Sequence, residues 1–303
     1  MNYLEFIHYV KKEIENRLGQ EVCIRKVTKT NLGEMDSLSI TNKDNNSISP
    51  IFYLQKIYAE YIEGKDADSL VDEMIKIYKN CMQNKKQALD VLDFMNDYEK
   101  SKAKIFFKII NKNKNRELLE NTPHFEYHDL AMVFCLLVSS DTEEIATIRI
   151  EDKMLACWGV SVEEIRRCAL ENTPRLFPLK KSGLYDMVAS LLGENTNELP
   201  EMKSDMDVYV LTNTAGINGF SAVFYPDELR EMALELGGDF YILPSSIHEA
   251  LIIKKGSIPV NDLMDMVKEV NCSCVQEEDK LSDNIYRYSY ADETMYKVLG
   301  EEA

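Results

Sequence analysis

Residues 227–254 read DELREMALELGGDFYILPSSIHEALIIK, and the reading of this stretch decides the fold class. Its first ten residues are patterned as a helix over 227–236, with Leu229 on the apolar face and Gly237-Gly238 as the stop. Phe240, Ile242 and Leu243 mark a buried strand over 239–243, and 250–254 is a second strand. The connection between them, 244–249, is shorter than the crossover of a dozen or so residues that parallel partners need, so the two strands pair antiparallel. Working outward, the pattern predicts strands at 207–212, 220–225 and 284–289, a turn over 213–219 and a helix over 261–270. Hairpins alternating with helices give an α+β class, in which a mainly antiparallel or mixed sheet carries helices packed on it.

Toward the N-terminus the chain becomes helical. Tyr3, Phe6, Ile7, Val10, Ile14 and Leu18 share one stripe of a helix that Gly19 ends. Residues 22–28 and 37–41 form a small β-hairpin, since Asn31 and Gly33 supply the positive φ that a tight connection needs. Ser49-Pro50 reads as an N-cap and first helical residue for a helix bearing Leu54 and Ile57 and ending at Gly64. Asp68 or Ser69 caps the next helix, and 88–95 carries a third. Near residue 100 the pattern changes to the alternation of Ile105, Phe107 and Ile109. The expected division is therefore a mostly helical region, 1–100, and an α+β domain, 101–303, which the polar stretch at 195–205 would allow to split again.

Within that domain the pattern predicts a strand at 105–110, a short helix at 115–121, strands at 125–138 and 145–151, and a helix over 161–171. The last is opened by the capping box Ser161-Val-Glu-Glu164. A further helix is expected over 183–193. The echo of Leu119-Glu-Asn-Thr-Pro123 in Leu170-Glu-Asn-Thr-Pro174 reads as one helix-stop used twice. Ile7, Leu54, Ile57, Ile165, Leu229 and Ile242 are expected in the core.

The chain has 303 residues, with 52 acidic against 35 basic side chains, a net charge of −17 and 45% apolar residues, which is globular composition. The N-terminal segment lacks the basic, apolar and small-residue regions of a secretory signal. The longest apolar run, Leu130 to Val138, is nine residues, against the roughly 20 that span a bilayer as a helix. Seven cysteines, an odd number scattered along the chain, fit reduced thiols better than a disulfide framework. No membrane span and a cytoplasmic location are the expectation.

Several phrases together carry a resemblance. They are Lys29-Thr-Asn31, Ile48-Ser-Pro50-Ile-Phe-Tyr53-Leu54 with Gly64, Asn111 with Asn115, and Pro123-His124 with Asp129-Leu130. To these add Trp158-Gly159-Val160-Ser161 with Ala169 and Asn172-Thr173-Pro174, and Leu243-Pro-Ser-Ser-Ile-His-Glu249. Over nearly the whole chain the sequence resembles an uncharacterised domain-of-unknown-function family of anaerobic Gram-positive bacteria. The last phrase and the Trp-Gly-Val-Ser helix start are also similar to a more distant group of bacilli proteins. The resemblance implies a single-chain architecture and a cytosolic location, and transfers no catalytic residue.

The densest chemistry lies in Pro244-Ser245-Ser246-Ile247-His248-Glu249 at a strand end. Ser245, Ser246, His248 and Glu249 are the candidate ligand-binding residues. A hydrolase would need a serine within reach of the imidazole, an acid orienting it and an oxyanion hole, and no G-x-S-x-G elbow is present. The plainer reading is a turn whose hydroxyls bond backbone amides. His124, Glu126 and His128 would share one face of a strand, but the spacing is not that of a zincin helix. Cys272-Ser-Cys274 has the wrong spacing for a zinc knuckle and reads as two cysteines on one face of a short strand. No phosphate-cradling glycine motif occurs, and no cofactor is expected. Seven basic residues with no acid lie at 100–116 beside Phe106 and Phe107; the net charge of −17 argues against nucleic acid as their partner.

These observations favour a non-enzymatic module that binds a protein or a small ligand. A hydrolase using Ser245 or Ser246 with His248 is the first alternative. An acidic nucleic-acid mimic occupying a basic protein is the second.

Overall fold

The computed structural model describes residues 1–41, 49–83, 96–141, 144–184, 208–244 and 246–299. They group into two compact units, Met1–Lys100 and Ser101–Ala303.

The first unit opens with α1 (Tyr3–Leu18). A reciprocal capping box starts it: Asn2 Oδ1 accepts the Glu5 N–H at 2.9 Å and Glu5 Oε2 accepts the Asn2 N–H at 2.9 Å. Gly19 ends it at φ 63°. The hairpin β1 (Val22–Lys29) and β2 (Gly33–Ile40) runs in register from Val22 opposite Ile40 to Lys29 opposite Gly33. Its turn uses Asn31 and Gly33 at positive φ, as their small or self-bonding side chains permit. The expected N-cap at Ser49-Pro50 is overturned. Phe52–Tyr53 instead forms β3, with Phe52 opposite Leu38, and α2 (Leu54–Ile62) starts only after it. Pairing against β2 satisfies that backbone, and burial of Phe52 outweighs the local cap signal. In α3 (Ala67–Gln83) the cap is Asp66, whose carboxylate accepts the Ser69 N–H at 3.0 Å, rather than Asp68 or Ser69. Phe6, Val10, Ile14, Leu38, Leu54 and Val71 form the centre of this unit's core. The helix expected at 88–95 lies outside the described residues.

The second unit contains two antiparallel sheets. In the first, β6 (Leu130–Asp141) is central, with β4 (Ile105–Asn111) on one side. On its other side β5 (His124–Tyr127) and β7 (Glu144–Arg149) occupy successive lengths. The single strand expected over 125–138 is thus two, broken at His128, which takes φ 57°. A short α4 (Arg116–Leu119) covers one end, followed later by α5 (Asp152–Trp158), which the sequence reading missed, and α6 (Val162–Leu176). Ser161 Oγ accepts the Glu164 N–H at 3.2 Å, as expected of the cap. The repeated helix-stop holds only once: α4 ends at Leu119, whereas α6 runs through Pro174 to Leu176. Anchoring explains this. Asn172 Nδ2 donates to the carbonyls of Lys102 (2.7 Å) and Ile105 (3.1 Å), and Thr173 Oγ1 accepts the Phe107 N–H at 3.1 Å. These bonds hold the last turn against β4 despite the donor Pro174 lacks.

The second sheet has six strands in the order β13 (Thr294–Lys297), β12 (Tyr286–Ser289), β10 (Phe240–Leu243), β11 (Ala250–Lys254), β9 (Val208–Asn213) and β8 (Leu179–Gly183). Every pairing is antiparallel. Gly183, the first residue of the helix expected at 183–193, ends β8, and Leu184 is helical; residues from 185 onward in that expectation, and the 195–205 stretch, lie outside the described residues. α7 (Glu228–Leu236) and α8 (Val260–Ser273) match the expected helices, and Leu263 and Val267 of α8 pack on Tyr241, Leu243 and Ile253. The strand expected at 220–225 is instead a 3₁₀ helix, Gly219–Phe224. Its residues Gly219 to Val223 are all buried, so no solvent face exists for a strand's alternation, and β9 pairs with β11. Cys272 and Cys274 stand at the exposed end of α8, which corrects their placement on a strand. Of the six expected core residues, Leu54, Ile165 and Ile242 are fully buried, and Ile7, Ile57 and Leu229 are half-buried. The inward face of α7 lies one step round from Leu229, on Met232, Ala233 and Leu236.

A buried carboxylate joins parts of this unit that are distant in sequence. Asp129 accepts from Ser282 Oγ at 2.6 Å, Asn284 Nδ2 at 2.9 Å and Tyr286 Oη at 3.0 Å. Burial opposes its charge, but these donors and nearby Lys297 outweigh burial and hold the carboxyl below its ordinary range. Among the described residues, no helix is long and apolar enough to cross a membrane.

Candidate functional site

Three loops of the second unit meet around His248. The first, 213–219, is folded on Asn213, whose buried amide donates to the Ile217 carbonyl (2.9 Å) and accepts the Ala215 N–H (3.0 Å). Gly216 and Asn218 then adopt φ 66° and 52°. Gly219 follows where a Cβ would overlap Thr212 Oγ1 and the His248 carbonyl, so glycine is required for packing. The second is the turn after β10. Ser246 Oγ accepts the His248 N–H at 3.0 Å, a serine turn of the kind that competes with regular structure. The third carries Asp279.

Cross-bonds lock these loops together. Thr212 Oγ1 donates to the His248 carbonyl at 2.7 Å, and Phe220 N–H donates to the Ile247 carbonyl at 3.1 Å. Ile247 N–H donates to the Asp279 carbonyl at 2.9 Å. The imidazole completes the set. Its Nδ1 accepts the Asn218 N–H at 3.4 Å, which places the ring proton on Nε2, and Nε2 donates to Asp279 Oδ1 at 3.2 Å. Both ring nitrogens are thereby engaged, and Ser246 Oγ is held by a backbone amide, not by the imidazole. Glu249 is half-buried and makes no hydrogen bond or ion pair among the described residues. Ser245 lies outside the described residues.

Asn218 also borders a small cavity of about 80 Å³. Phe106, Phe107 and Phe177 supply aromatic walls, and Asn213, Asn218 and Ser221 supply polar ones. The sequence reading located His248 and Ser246 but missed Asp279, Asn218, Gly219 and Thr212. The one signal for them was the density of Asn and Gly immediately after a strand, which marks a loop of constrained φ without naming its partners.

The other candidates do not assemble as the sequence pattern allowed. His124 and Glu126 share a strand face, but His128 leaves the strand at positive φ, bonds the Met295 carbonyl at 3.1 Å and stacks on Tyr286. The basic run is partly neutralised by Lys100–Asp97, Lys112–Glu126 and Lys114–Glu277 pairs. Phe106 and Phe107 are both buried, so neither is open for stacking on a base.

Comparison with known proteins adds family membership. No curated protein and no solved structure matches the chain. A family model, described as a family of unknown function (DUF5688), matches residues 3–290. With nearly the whole length matched, the chain belongs to the family of unknown function DUF5688.

Proposed function

We propose that this chain is a non-catalytic binding module whose pocket is the cavity beside the 213–219 loop. The observation that carries this reading is the use of His248 as a latch. Its two nitrogens tie Asn218 to Asp279, and Asn218 is itself a cavity wall. A general base needs a free imidazole nitrogen within reach of the proton it takes, whereas here the ring holds a shape. Pre-organised walls lower the ordering cost of binding. The volume, about 80 Å³, is well under the roughly 300–1,000 Å³ of pockets for drug-sized ligands. The guest is therefore a small amphipathic molecule, or one side chain of a partner, with an apolar part against the phenylalanines and a hydrogen-bonding part toward Asn213 and Asn218.

The test is amide chemical-shift mapping on the full chain with three small probes, acetamide, isopropanol and benzene, repeated in Thr147→Trp. Thr147 is exposed at the cavity wall, so a tryptophan there blocks the space with little strain on the fold. Shifts concentrated at 213–221 in the wild type and lost in the variant support the reading. Scattered shifts, or shifts that survive the block, overturn it.

A further inference from the structure

One face of the four-stranded sheet gathers positive charge on a strongly acidic chain. The register sets Lys108, Val133 and His124 in one cross-strand row, and Phe106, Cys135 and Arg149 in the next. Lys108, His124 and Arg149 are half-exposed, while Val133 and Cys135 between them are buried. Two strand spacings, roughly 10 Å, separate the backbones of β4 and β7, a gap that a Lys and an Arg side chain narrow from opposite sides. Burial pushes the Cys135 thiol up, and Lys108 and Arg149 both pull it the other way, so both charges act at the same spot.

Among the described residues, Lys108 has no ion pair or hydrogen bond, and Arg149 has one long ion pair. The Nε of Arg149 is buried without a hydrogen-bond acceptor among the described residues, so the nitrogens left for a ligand are those at the tip of the guanidinium. Its Nη2 is 3.7 Å from Glu151, whose other oxygen is held by Lys153 at 2.6 Å. His124 Nδ1–H donates to the Thr122 carbonyl at 2.8 Å, so in the neutral ring Nε2 is the acceptor; it lies 3.8 Å from Glu126.

We propose that Lys108, His124 and Arg149 form a binding site for one phosphate group on a small ligand. The guanidinium fork and the ammonium donate to oxyanion oxygens, and His124 Nε2 accepts from the P–OH of the hydrogenphosphate form. Glu126 and Glu151 frame the site and would repel the neighbouring phosphates of a nucleic acid, so the site takes a single anion. This site stands independently of the pocket reading.

The experiment is titration of the full chain with inorganic phosphate, followed by ³¹P NMR and calorimetry at fixed ionic strength in chloride. Saturable binding is expected, weakened about tenfold or more by Lys108→Gln and by Arg149→Gln, and unchanged by Lys26→Gln in the first unit. Melting curves check that each variant is folded. If Arg149→Gln unfolds, Lys108→Gln, at a half-exposed position, decides alone. Sulfate, which has no proton to offer Nε2, is expected to bind more weakly. Absence of saturable phosphate binding, binding indifferent to Lys108→Gln, or sulfate binding as tight as phosphate overturns the proposal.

Discussion

At the scale of single residues, the same side-chain types act differently according to what faces them. Asp129 and Glu228 are both buried carboxylates. Burial is the main cause that pushes Glu228 up, with Lys181 pulling it down and Glu231 and Glu235 adding to the rise. For Asp129 burial is outweighed by three side-chain donors and Lys297, so its carboxyl is held down. A carboxyl lowered by folding contributes stability that is present above its unfolded pKa and lost as pH falls through the folded one. Stability carried by Asp129 is therefore expected to decline below roughly pH 4. Asp129→Asn should cost about 1.5–3 kcal/mol at neutral pH, the range for hydrogen bonds to a charged group, and should flatten the acid limb. Denaturant melts of both proteins between neutral and acid pH check this; parallel acid limbs would remove Asp129 from the account.

At the scale of elements, α6 shows how tertiary bonds override a local stop. Its last turn presents Asn172 and Thr173 to β4, an edge strand whose amides and carbonyls would otherwise be left without a neighbour. Thr173 Oγ1 accepts the Phe107 N–H and donates its own O–H to the Ala169 carbonyl at 2.6 Å, all in the buried interior. Thr173→Val keeps the shape and removes both bonds. It should cost about 1–3 kcal/mol, because the Phe107 amide is then buried without an acceptor. Thr173→Ser should recover most of that loss in chemical denaturation, whereas equal losses for the two variants would point to packing as the cause.

At the scale of the whole molecule, the two compact units have separate cores. Phe6, Val10, Leu54 and Val71 lie at the centre of one, and Tyr241, Leu243, Ile253 and Leu263 belong to the other. A unit with its own core folds alone when enough apolar surface is buried within it. A fragment of residues 101–303 is therefore expected to melt cooperatively and to keep the amide spectrum its residues show in the full chain. A non-cooperative melt of that fragment would show that the second unit depends on the first.

The sequence by itself determined the α+β class, the antiparallel pairing of β10 with β11, and the helices α1, α7 and α8. Each rests on local physics: apolar spacing, glycine at positive φ, and a connection too short for a crossover. It also marked the turn bearing Ser246 and His248, because a proline and two serines at a strand end leave few other conformations. Only the tertiary structure decided the rest. The 3₁₀ helix at Gly219–Phe224 forms because both faces of that segment are buried, which no alternation in the sequence reports. Phe52–Tyr53 became a strand because Leu38 and Ser37 stood opposite it. His248 became a latch because Asn218 and Asp279, each about 30 residues away, were brought to its two nitrogens. Lys108, His124 and Arg149 share one sheet face because strand register set them in adjacent rows. Distance along the chain hides such partners, since a hydrogen bond or a shared charge environment depends on position in space and leaves no periodic trace in the sequence.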